Sequence, residues 1–139
     1  MTRSRRRGRR AGFVAVELVS AVALLLVPTL VLVASVPVWS ERRHAATVIA
    51  REAARAAALG WPSPPGGEVD AVIASVAADY GVPISDVAAS VALDATRAGQ
   101  AVARVTIVMP ALHLPLIGDA GAWHWSTSYA LRIDDYRSR

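Results

Sequence analysis

The residues with chemistry to offer are few, and the most telling stand near the start of the chain. Gly12-Phe13-Val14-Ala15-Val16-Glu17 places a lone carboxylate inside an otherwise apolar run. Such a carboxylate costs roughly 3 kcal/mol on insertion scales unless something answers its charge. One reading needs no partner: Glu17 lies near the membrane interface and snorkels to water. The other supplies a partner by cleavage. Hydrolysis of the Gly12–Phe13 bond would leave an α-amino group on Phe13 and make Glu17 the fifth residue (17 − 12) of the shortened chain. The carboxylate could then meet the amine of a neighbouring subunit in the same low-dielectric layer, and such a pair favours one stagger between packed helices. Gly12 and Phe13 are therefore the candidate processing site, and Glu17 the candidate for helix registry and subunit recruitment.

Other reactive side chains form no recognisable site. His44, His113 and His124 fall on three separate elements without metal-ligand spacing. Ser126 and Ser128 lie on one strand face, without the sharp Gly-flanked turn of a nucleophilic serine. Asp134-Asp135 reads as a solvated tail pair, and Gly66-Gly67 follows prolines as turn chemistry. There is no cysteine, which removes disulfides, thiolate catalysis and cysteine-bound zinc. The expectation is a non-enzymatic protein with no metal and no cofactor.

The element that positions Glu17 is a long apolar segment. From Ala11 to Trp39 it is the only charged residue. Phe13 to Trp39 would span roughly 40 Å as a helix at about 1.5 Å per residue, against a hydrocarbon core of about 30 Å. Pro28 and Pro37 within it would each remove a helix hydrogen bond and are expected to kink it. A cleaved secretory signal, with Val33-Ala34-Ser35 as its cut, fits less well, because its apolar region is normally about 7–15 residues. Six arginines (Arg3, Arg5, Arg6, Arg7, Arg9, Arg10) precede the run, and Arg42, Arg43, Arg51 and Arg55 follow it within a similar distance. That bias favours a cytoplasmic N-terminus and an extracytoplasmic C-terminal part. Those six also account for the positive charge: the other 9 of the 15 arginines face 11 acids, for a net −2. Basicity confined to a leader argues for membrane orientation and against nucleic-acid binding.

Beyond Trp39 the helix is expected to continue. Glu41, His44, Arg51, Glu52 and Arg55 fall in a sector about 100° wide, and small apolar residues fill the rest. Arg51, Glu52 and Arg55 are a candidate packing or partner stripe, with Glu52 and Arg55 spaced to pair. A basic leader, Gly12, Phe13, three apolar residues, Glu17 and a long apolar helix together resemble the type IV prepilin signal. Ala50-Arg51-Glu52-Ala53-Ala54-Arg55 in turn resembles the Ala-Arg-Glu-x-Ala-Arg segment of TadE-like proteins, the minor pilins or pseudopilins of tight-adherence (Tad/Flp) pilus systems. The likeness covers roughly residues 8–60, and the family usually has its proline closer to the glutamate than Pro28 is to Glu17. The resemblance implies cutting after Gly12 by a prepilin peptidase, and implies other pilin or pseudopilin subunits, the Tad secretion machinery and the membrane as partners. The alternative is an unprocessed single-pass membrane protein whose outer domain binds an envelope partner.

The remainder reads as a small α+β domain. Val69, Val72, Ile73, Val76 and Tyr80 have helical spacing over 68–80, stopped by Gly81 and Pro83. Val87–Leu93 and Ala101–Val108 read as strands joined by a turn at Thr96–Gln100, and Leu112–Gly121 reads as a loop. The final strand alternates most cleanly, with Trp123, Trp125, Thr127, Tyr129, Leu131 and Ile133 on one face. The expected organisation is a leader at 1–12, a transmembrane helix at 13–40, a helical extension at 41–60 and an extracytoplasmic domain at 61–139. In that domain the 68–80 helix covers an antiparallel sheet of about three strands.

Overall fold

A computed structural model describes residues 5–61, 63–94, 99–114 and 118–133, with the side chains of 5–13, 113, 114 and 120 left aside. Its elements run in the order α1 (Arg5–Gly60), α2 (Gly67–Asp79), a 3-10 turn (Ile84–Asp86), β1 (Val87–Leu93), β2 (Gln100–Met109), β3 (Leu112–Leu114), β4 (Gly118–Ala120) and β5 (Trp123–Arg132). The class is α+β: a long N-terminal apolar helix, a short second helix and a three-stranded antiparallel sheet. The chain divides into two compact units, Met1–Val36 with Leu112–Ala120, and Pro37–Ala111 with Gly121–Arg139.

In the first unit, α1 is bare. Its apolar side chains stand open, with Leu24 at 74% and Leu25 at 75% exposure. Two hydroxyls in this stretch are turned inward: Thr29 donates to the Leu25 carbonyl and Ser35 to the Val31 carbonyl, both at 2.8 Å. Back-bonding of this kind hides a polar group that lipid could not satisfy. The helix runs through Pro28 and Pro37 without interruption. Among the described residues it is the one helix long and apolar enough to cross a membrane.

In the second unit, the sheet order is β1-β2-β5, with the longest pairing between β2 and β5 from Gln100↔Arg132 to Met109↔Trp123. The central position of β2 explains its strict burial of Ala101, Ala103, Val105, Ile107 and Met109. Those residues share one core with Val69, Ile73 and Ala77 of α2 and with Ala45, Ala46, Ile49, Ala50, Ala53, Ala54 and Ala57 of α1. The expected sheet with α2 packed on it is present, and the small-residue face of α1 adds to the cover. Alanine suits this, since small side chains let a helix approach closely.

α2 begins with Glu68 and Asp70 in its first turn, where acids complement the helix dipole. It ends on a left-handed Gly81 (φ +62°), with Gly81 N–H bonded to Ala78 O and Val82 N–H to Ala77 O. That is the Schellman pattern, and buried Val82 closes it against the core. The expected loop at Leu112–Gly121 is corrected. It contains a two-stranded hairpin, β3–β4, paired from Leu112↔Ala120 to Leu114↔Gly118. The anticipated turn at Thr96–Gln100 lies mostly outside the described residues; its base is closed by Asp94 N–H to Gln100 O at 2.8 Å.

Candidate functional site

The Gly12–Phe13 bond lies within the helical backbone of α1. Glycine in a helix interior weakens it by roughly 1 kcal/mol relative to alanine. One turn further on, Glu17 is exposed on the helix surface, among Val14, Val16, Leu18 and Val19, each more than 60% exposed. Among the described residues its carboxylate has no hydrogen-bond or ion-pair partner. A single acid on an apolar helix, with nothing among the described residues to neutralise it, is a group that must find water or another molecule.

Arg51 and Arg55 are exposed and Glu52 is half-buried, so this stripe faces away from the core that Ala50, Ala53, Ala54 and Ala57 enter. The pairing expected between Glu52 and Arg55 does not form. His44 is exposed and packs edge-on to Tyr80 at 5.7 Å, and His124 is exposed on the outer sheet face. No group of three metal-ligating side chains converges among the described residues. The concavity between the end of α1 and the start of α2, about 220 Å³, has only Glu68 as a charged wall residue. It falls below the roughly 300–1,000 Å³ typical of small-molecule pockets.

A second cluster was not apparent from the residues as a sequence. Arg42 donates to Asp86 Oδ2 at 2.9 Å and to the Val108 carbonyl at 2.7 Å. Trp39 stacks edge-on to Trp123 at 6.0 Å and donates a long hydrogen bond, 3.4 Å, to the Pro110 carbonyl. Trp123 in turn meets Trp125 at 6.4 Å. The Arg43 guanidinium lies 4.4 Å from the centre of the Trp125 ring and 5.7 Å from that of Trp123. One turn of α1 thus grips the 3-10 turn before β1, the end of β2 and the start of β5. The signal for it was two tryptophans two apart on a strand face and two arginines three and four residues after Trp39; neither says which partners meet.

No protein family, curated protein or solved structure matches this chain. The functional reading therefore stands on its own residues: an apolar helix whose one carboxylate has no partner among the described residues, and whose later turns belong to a packed α+β unit.

Proposed function

We propose that this chain is a minor pilin or pseudopilin, or a pilus-assembly membrane protein, of a tight-adherence system. In this reading a prepilin peptidase cuts after Gly12, α1 anchors the protein in the cell membrane with its N-terminus cytoplasmic, and the outer unit lies outside the cytoplasm. The helix then packs against the helices of other pilin or pseudopilin subunits. The observation that carries the proposal is Glu17: exposed, without a partner among the described residues, and at the fifth position of the processed chain (17 − 12). A carboxylate there has a natural partner in the new α-amino group on Phe13 of a neighbouring copy, and their charges cancel at one stagger only. The open apolar surface of α1 supports the same reading, since leucines and valines as exposed as Leu24 and Leu25 are available to lipid first and to like helices afterwards.

The test is the N-terminal residue of the protein recovered from membranes of its native host, read by mass spectrometry. A chain beginning at Phe13 is expected. One beginning at Met1 or Thr2 would instead favour an unprocessed single-pass protein with an outer binding domain. A start near Ser35 or Val36 would make the apolar run a secretory signal.

A further inference from the structure

Arg42 and Arg43 come just past the apolar run, after Ser40 and Glu41, and the fold treats their charges differently. Arg42 is spent inside the molecule on Asp86 and the Val108 carbonyl. Arg43 is exposed, and among the described residues it has no carboxylate partner. What it has is a pair of indoles. A guanidinium held against Trp125 and Trp123 keeps its place without losing its charge, and its planar set of N–H donors is a fork of the kind that matches two phosphate oxygens.

We propose that Arg43, cradled by Trp123 and Trp125, binds the phosphate of a membrane phospholipid, and that this seats the outer unit on the headgroup layer. Position along α1 argues for lipid over any other phosphate source. Trp39, whose ring touches Trp123, comes at the end of the apolar run, where tryptophan favours the water–lipid boundary. Arg43 lies four residues on, about 6 Å along the helix axis. The headgroup layer is roughly 5–8 Å deep on each side of the hydrocarbon, so the guanidinium falls at phosphate depth. Trp123 and Trp125 are brought to the same depth by β5, which starts at this end of the sheet. The inference rests on α1 crossing the bilayer and not on a role in a pilus.

The experiment uses the full chain reconstituted in phosphatidylcholine vesicles, with Trp39→Phe and Trp61→Phe so that Trp123 and Trp125 alone fluoresce. Vesicles carrying bromine on acyl carbons near the glycerol are compared with unbrominated ones, and carbonate extraction reports separately whether α1 is inserted. Strong quenching is expected. Arg43→Gln in the same background should weaken that quenching and shift the emission to the red, and Arg43→Lys should fall between the two. Circular dichroism of each variant checks that the sheet is intact. If the inserted protein shows no quenching by bromine, or the same quenching with Gln at position 43, the headgroup seat is overturned. Release of the protein by carbonate would overturn it too, and would remove the membrane span along with it.

Discussion

Arg42 is adjacent to Arg43 in the chain, yet its contribution is of a different kind. Its side chain and that of Asp86 are only 19% and 30% exposed, so their contact is shielded more than an ordinary surface pair. Hydrogen bonds to charged groups contribute roughly 1.5–3 kcal/mol each when well sheltered, and partial exposure reduces that. Arg42→Ala is therefore expected to cost about 1–2 kcal/mol in thermal unfolding of the detergent-solubilised chain, followed by near-ultraviolet circular dichroism. Asp86→Asn should cost less, because the Val108 carbonyl still receives the guanidinium; equal losses would mean that the carbonyl contact contributes nothing. Nothing in the sequence marks this pair, since the partners are 44 residues apart and meet only once β1 and β2 are built. Glu17 is the opposite case. It stands out by residue type alone, because a charge in an apolar run needs no fold to be conspicuous. Glu17→Ala should leave cleavage after Gly12 intact and reduce incorporation into pili, scored by comparing cell-bound and sheared-fibre fractions. Incorporation at the wild-type level would remove the registry role.

At the scale of elements, legibility followed periodicity. β5 alternates without a break, and its half-buried face is the one its sequence pattern marks. α2 likewise buries Val69 and Ile73, at i and i+4. The hairpin β3–β4 was hidden because strands of three residues are too short to show a period, and the prolines and glycines around them read as loop. The alanine face of α1 was legible as a packing surface, whereas its partner was not: alanine says how close a neighbour comes and nothing about which neighbour it is. Two substitutions test these assignments. Ala53 is wholly buried, so Ala53→Leu forces extra methyl groups between α1 and its core neighbours and should cost about 1–3 kcal/mol. Gly81→Ala adds a Cβ in the left-handed region, where no neighbour lies within 4 Å, so its cost is conformational alone, about 1 kcal/mol. Denaturant midpoints of the two variants should rank in that order. A neutral Ala53→Leu would mean that the helix does not pack closely on that core.

The whole molecule combines two solutions to one problem, the covering of apolar surface. Pro37–Ala111 with Gly121–Arg139 covers its own: every fully buried hydrophobic among the described residues lies between Ala45 and Met109. The stretch of α1 before Pro37 contributes none of them, and its leucines and valines stay open. A sequence reading divides the helix by hydropathy, near Trp39, because charge returns there. The fold divides it at nearly the same place for a different reason, since the alanine face that follows is needed to complete a core. This asymmetry yields a prediction about independence. A chain beginning at Pro37 keeps Trp39, both arginines, the whole alanine face, α2 and all three sheet strands, and it sheds the surface that only lipid or like helices can cover. It should be soluble without detergent and should unfold in one cooperative transition with its tryptophan environment intact. Folding of this kind would mean that the stretch of α1 before Pro37 has no part in the stability of the unit that begins there. An aggregated product, or one with helical signal but no cooperative transition, would show instead that the membrane segment supplies packing that the outer unit cannot do without.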